Sequence, residues 1–210
     1  MIRNSSPAEI AILLPALILA LTIHELAHGL MAYILGDATA HQDGRLSLNP
    51  LRHVDPLGLL CILLIGFGWA KPVMVNPNNL QNPKIGMALI SIVGPLSNFI
   101  MSFIAVIVMI TLHLHAPHLP EYLFNALQFF SWINVVLGVF NLIPIPPLDG
   151  SKVIGALLPN SLYMKYMAFG RYGMMVLLVA MFAGVTRLVL FPVSHGVYGF
   201  FISVGLMVVG

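Results

Sequence analysis

An all-α polytopic membrane bundle is the fold this sequence predicts, and three observations predict it. Hydrophobic residues fill 59% of the 210 positions and charged residues only 8%, against roughly 25% charged residues in an ordinary soluble domain. The apolar residues run in long stretches, not in the alternating ten-residue segments of an outer-membrane barrel, so helices are the spanning elements. Four stretches, near 8–35, 85–112, 124–148 and 172–192, reach the length of about twenty residues that a bilayer core demands. A fifth, 194–210, is borderline, so four to five transmembrane helices are expected in a single domain, 1–210, with no internal repeat and no appended soluble domain.

Taken in order, the first ten residues carry one arginine, Arg3, and no small-residue cleavage site. No removable leader is therefore expected, and the first helix stays in the mature chain. The apolar run Leu57–Ala70 would rise only about 21 Å as a helix against a core of about 30 Å, which predicts a re-entrant or interfacial segment that leaves and returns on one side. The following Gly68–Val75 has the β-branched, extended character of an edge strand, with Pro72 restricting its pairing. Such an edge could take a substrate as an added strand, which matters because peptide bonds inside helices are closed to attack.

The basic residues orient these spans. If the connection 36–84 is cytoplasmic, that side holds Arg45, Arg52, Lys71 and Lys84, and the loop after the third span adds Lys152, Lys165 and Arg171. Only Arg3 and Arg187 would fall on the other side, as the positive-inside rule requires. The first and third spans then both run inward. A net charge of +2 without a basic cluster gives no ground for nucleic-acid binding. The single cysteine, Cys61, excludes an internal disulfide and any multi-cysteine metal site and reads as a small buried hydrophobe.

The chemistry lies in His24-Glu25-Leu26-Ala27-His28. In a helix, positions i and i+4 share a face, so both imidazoles can hold one zinc ion while Glu25, one residue on, reaches a water at the same site. Three ionisable groups within so short a stretch of a membrane span are costly and point to function. A hydrolytic site needs a third protein ligand and an open position. Asp149 ranks first: it ends Asn141-Leu-Ile-Pro-Ile-Pro-Pro-Leu-Asp149, where Pro144, Pro146 and Pro147 enforce an unwound stretch at the end of a span. The orientation brings it to the depth of His28. Its competing reading is an N-cap for a helix restarting at Ser151.

The other histidines compete less well. His41 and His53 lie on the correct side, where solvated roles are expected and a substrate or supporting role is the alternative; His113, His115 and His118 cluster on the opposite side as interfacial residues or a weak second metal site. His195 opens the last apolar segment and marks an interface. Asn98, in Gly94-Pro-Leu-Ser-Asn98, and Asn141 are buried amides that either hold a substrate backbone or oxyanion or tie helices together.

With these motifs in this order, on successive inward, outward and inward spans over about 8–155, the chain resembles the site-2 protease family of intramembrane zinc metalloproteases. The resemblance implies that His24, His28 and Asp149 bind one zinc ion per chain and that Glu25 activates water. It implies that Asn98 and Asn141 border the site and that Gly68–Val75 is a membrane-associated β segment. The implied substrate is a transmembrane segment of another protein, cut in or near the lipid of a bacterial or archaeal cell membrane, with the site toward the cytoplasm. Many relatives carry a further span or PDZ or CBS domains, which this sequence lacks. The rival classes are a membrane zinc transporter, disfavoured by the absence of repeats and of acidic residues along a path, and an inactive scaffold, disfavoured because Glu25 is retained.

Overall fold

The computed structural model describes residues 7–65 and 68–210. Among these are nine α-helices: α1 (Pro7–Ile34), α2 (Thr39–Gln42), α3 (Pro56–Ile65), α4 (Pro83–His115), α5 (Glu121–Asn141), α6 (Asp149–Leu157), α7 (Asn160–Ala168), α8 (Gly170–Phe182) and α9 (Val185–Val209). Four segments are long and apolar enough to cross a membrane: Ile10–Ile34, Pro83–His115, Glu121–Asn141 and Arg187–Val209.

Side-chain pairs fix how the long helices run. His28 meets Ile90 while Ala20 meets Asn98, so α1 and α4 are antiparallel. Asn98 meets Asn134 and Ser102 meets Ser131, so α4 and α5 are antiparallel too. Phe201 packs on Phe99 and Phe103, and Gly205 lies against Val106 and Ile110, so α9 runs parallel to α4. The connections carrying Arg45, Arg52, Lys71, Lys152, Lys165 and Arg171 thus sit at one end of the bundle, where α4 starts with Lys84. His113, His115 and His118 sit at the other end.

The last third of the chain differs from expectation. The span expected at 172–192 is broken: α8 ends at Phe182, Gly184 takes a left-handed φ of 76° and its N–H bonds to the Met181 carbonyl, the glycine termination of a helix. Thirteen residues of α8 rise about 20 Å, too short to cross a core of about 30 Å. The fourth long helix is α9, which absorbs the expected fifth segment 194–210. Because α9 parallels α4, Arg187 belongs to the Lys84 end and not to the far side. Arg3 lies outside the described residues, as do Gly66 and Phe67 of the expected re-entrant run.

Within that run α3 is a ten-residue helix, its first turn held by the Asp55 carboxylate, which accepts from the Leu57 and Gly58 N–H groups. On either side of α3, Val54 and Ala70 form one antiparallel bridge. The expected strand Gly68–Val75 is absent among the described residues, and the competing partners explain it. The Arg45 guanidinium takes the Lys71 and Pro72 carbonyls, and Pro72 has no N–H to offer. Arg45 thus occupies two of the carbonyls that a ladder would use.

A second anchor fastens the same connection. Asp37 is fully buried; its carboxylate accepts from Thr39 Oγ1 at 2.6 Å, Asn79 Nδ2 at 2.7 Å and the Asn76 N–H at 2.7 Å. Next to it Leu80 packs on Ala32 and Ile90. Burial by itself raises the Asp37 carboxyl, but the hydrogen bonds from Thr39, Asn79 and Asn76 outweigh it and leave the group below its ordinary value of 3.8. A depressed folded-state pKa stabilises above the ordinary value, and that stability is lost as pH falls through the folded value. The protection factor of the Asn76 amide against hydrogen exchange is therefore expected to stay high at neutral pH and to fall only on strong acidification. Asp37→Ala, costing about 1–3 kcal/mol, should lower that protection factor at every pH; an unchanged protection factor would remove Asp37 as the anchor.

Candidate metal centre

Because α1 is continuous through its histidines, the two imidazoles project from one face, with ring centroids 4.6 Å apart and planes at 89°. They face Gly94 of α4, where a Cβ would sit 2.5 Å from His28 Nε2 and 2.8 Å from His24 Cε1. No other residue leaves room for both rings. Asp149 comes from the far end of α5, after the non-helical stretch that contains the three prolines. It is the first residue of α6, whose N-cap is Leu148 and has no side-chain cap, so the N-cap reading fails. Its Oδ2 lies instead 3.2 Å from His24 Nε2 and 3.1 Å from His28 Nε2, and the two Nε2 atoms are 3.0 Å apart. All three residues are buried.

Proton accounting shows what this cluster fits. His28 Nδ1 lies 2.7 Å from the Ile90 carbonyl, a pure acceptor, so Nδ1 carries the hydrogen. Nearby Pro95 brings no N–H to α4. His24 Nδ1 lies 2.6 Å from Asn98 Oδ1, while the Asn98 amide donates to Asn134 Oδ1 at 2.9 Å and toward the Ala20 carbonyl. His24 Nδ1 is then also the donor. Both Nε2 atoms are left as bare lone pairs facing a carboxylate oxygen, three acceptors with no hydrogen among them. A metal cation, or a proton shared between an imidazole and the carboxylate, reconciles such a set, and two imidazole nitrogens plus one carboxylate oxygen match a zinc site with a position to spare. Among the described residues this is the single group of three or more histidine, cysteine or acidic residues whose ligand atoms converge, all within 4.8 Å.

Around the cluster lies a cavity of about 540 Å³, lined by His24, Glu25, His28, Asn141, Asp149 and Lys152 together with apolar side chains from α4, α5 and α8. Glu25 stands beside the three ligand candidates without joining them; its Oε2 accepts from the Val73 N–H at 2.9 Å. Lys152 Nζ is 3.5 Å from Asp149 Oδ1, which leaves Oδ2 to the imidazoles. Asn141 lines the cavity with its amide donating to the Leu137 carbonyl of its own helix, whereas Asn98 is fully buried against His24. The two asparagines thus occupy different surroundings: one faces the cavity, the other supports a ring.

The remaining histidines stay away from this centre. His53 is fully buried, not solvated, with Nε2 on the Ser47 carbonyl at 2.7 Å. His41 is exposed beside Tyr33. His113, His115 and His118 form no converging group, and His195 lies inside α9, its ring tilted at 38° against Trp132 with centroids 4.6 Å apart, not at a segment start. Cys61 is partly exposed rather than buried. Three residues near the centre were given no role there by the sequence: Asn134, Lys152, which served only to orient the spans, and Gly94, which was noted only as part of the motif ending in Asn98. Asn134 had a signal, for it precedes Asn141 by seven residues, two helical turns, and so shares its face.

The close fit of the rings against Gly94 generates a prediction. Gly94→Ala forces both imidazoles off their present geometry, so zinc affinity, read by chelator competition, is expected to fall about 10-fold or more while the bundle still folds. Wild-type affinity in that variant would mean that the rings do not depend on the gap.

The profile of Peptidase family M50 matches residues 107–183. A protein of Bacillus subtilis (strain 168) named "Putative zinc metalloprotease YwhC" is 42% identical over 183 residues, covering 85% of this chain and 84% of that one. "Putative zinc metalloprotease Rip2" of Mycolicibacterium smegmatis is 29% identical over 68% of this chain and 54% of its own length. "Zinc metalloprotease MJ0392" of Methanocaldococcus jannaschii is 37% identical over 76 residues, 36% of this chain and 21% of its own length. No solved structure matches. The extent of the similarity to the Bacillus protein, together with four long apolar helices, makes this an integral membrane protein that belongs to peptidase family M50, the site-2 protease family.

Proposed function

We propose that the protein is a zinc-dependent endopeptidase that hydrolyses peptide bonds in or near transmembrane segments of other membrane proteins. The observation that carries this reading is the convergence of His24 Nε2, His28 Nε2 and Asp149 Oδ2 on one point, beside a carboxylate, Glu25, that is not part of the cluster. A transporter or a scaffold has no use for that fourth group. Zinc held by the three residues would supply a Lewis acid for polarising the scissile carbonyl and activating water. Glu25 takes the proton of the attacking water and returns it to the leaving amine as the C–N bond breaks. The Val73 N–H steadies the Glu25 carboxylate in the resting state, and Lys152 holds the free oxygen of Asp149. Asn141, on the cavity wall, is placed to hold a substrate backbone.

The apolar lining of the cavity, with Leu21, Trp69, Met74, Phe140 and Leu177 among its residues, suits an unwound apolar segment. His28 lies six residues before the end of the span Ile10–Ile34, about 9 Å along the helix, which puts cleavage near one membrane face. By the positive-inside rule that face is cytoplasmic, since the basic connections share the bundle end next to the site. The short apolar α3 then rests at the interface beside the cavity.

Metal and activity should separate in variants. Glu25→Gln is expected to keep about one zinc per chain and to cleave a model transmembrane substrate about 10²- to 10⁴-fold more slowly, whereas Asp149→Ala should lose most of both. Cleavage by Glu25→Gln at the wild-type rate would sink the proposal. For orientation, cysteines placed at positions 42 and 115, both exposed, in a Cys61→Ser background should label from the cytoplasm and from the opposite side respectively. Labelling of both from one side would refute the arrangement.

A further inference from the structure

We infer that Asn134, on α5, is a positioning residue that fixes the tautomer of His24 across two helix interfaces. Asn134 is fully buried and touches neither the cavity nor the cluster of ligand atoms. Its Nδ2 donates to the Phe130 carbonyl at 2.8 Å, a pure acceptor, so its Oδ1 must face the other way. That oxygen accepts from Asn98 Nδ2 at 2.9 Å. The Asn98 amide is thereby oriented with Oδ1 toward His24 Nδ1, 2.6 Å away, and the ring hydrogen is committed to Nδ1. Each amide has a distinct donor end and acceptor end, so the orientation passes from α5 through α4 to α1 without ambiguity. The result is a bare lone pair on His24 Nε2, the form in which an imidazole binds metal.

His28 needs no such chain, because the Ile90 carbonyl fixes its hydrogen directly. His24 faces an amide instead, and an amide can turn over. If Asn98 were reversed, it would present N–H groups to His24 Nδ1, and the hydrogen would move to Nε2, into the space between the ligand atoms. The Ala20 carbonyl opposes this turn, but at 3.4 Å it is a weak partner. Asn134 is what holds Asn98 in the productive sense.

The inference rests on the zinc reading for its purpose but not for its test, since the tautomer exists without metal. ¹⁵N NMR of the imidazoles in the purified, metal-free full-length protein reports which nitrogen of His24 is protonated. At alkaline pH, where both imidazoles are neutral, wild type should show His24 and His28 both protonated at Nδ1. Asn134→Leu, similar in size but without polar atoms, should give a mixture at His24 with His28 unchanged, and zinc affinity by chelator competition should weaken about 10- to 100-fold. Asn134→Asp, which keeps an acceptor oxygen toward Asn98 Nδ2, should restore both readouts. Should the leucine variant not fold, Asn134→Ser, too short to reach Asn98, carries the same expectation. Pure Nδ1 protonation of His24 in the folded leucine or serine variant would overturn the inference. Failure of every form, wild type included, to bind zinc would instead overturn the metal reading and leave the tautomer result standing.

Discussion

Three hydrogen-bond acceptors pointed at one another inside an apolar bundle are the constraint on which the rest of this structure depends. Left alone, His24 Nε2, His28 Nε2 and Asp149 Oδ2 repel, and burial deprives them of the water that would otherwise separate them. A cation removes the conflict. Everything that surrounds them serves to keep the lone pairs inward: the Ile90 carbonyl and the Asn98 amide occupy the outer nitrogens, Gly94 gives the rings room, and Lys152 holds the spare oxygen of Asp149.

Building such a cluster at membrane depth requires polar groups in three helices that lipid cannot solvate. The chain answers by pairing them with one another: Asn98 with Asn134, and Ser102 with Ser131, both across the α4–α5 contact. These pairs do two jobs. They satisfy groups that would each be costly in hydrocarbon, and they lock α5, hence Asp149 just beyond its end, against the helix that faces the histidines. The connection from α1 to α4 is held independently, by Asp37 on Asn76 and Asn79 and by Arg45 on Lys71 and Pro72. That brings Val73 over Glu25, so the carboxylate next to the cluster is met by a backbone N–H from a segment fixed at both ends.

Much of this was legible in the residues. The i, i+4 spacing of His24 and His28 specifies a shared face wherever the chain is helical, and three prolines before Asp149 announce a break in the helix at the end of a span. The basic residues placed both motifs at one end of the bundle, which is where the pairs between helices put them. What escaped the sequence has physical causes. A hydropathy average over some twenty residues is blind to a single glycine in the left-handed region, so α8 and α9 read as a span at 172–192. Extended, β-branched residues read as a strand, but whether a ladder forms depends on partners far along the chain, and here Arg45 takes the carbonyls. Asn134 looked like one more polar residue in a span because its partner's partner, not its neighbour, is a ligand candidate.

X-ray absorption at the zinc edge of the purified, zinc-loaded protein bears most directly on the central claim, since it counts the atoms around the metal. The account predicts two imidazole nitrogens and one oxygen from a single carboxylate at about 2.0–2.2 Å, with one further light atom and no sulfur. The little zinc that Asp149→Ala still takes up at saturating metal should be held by both imidazoles without the carboxylate. A shell containing a third imidazole, or one unchanged by the loss of Asp149, would contradict the assignment of the site.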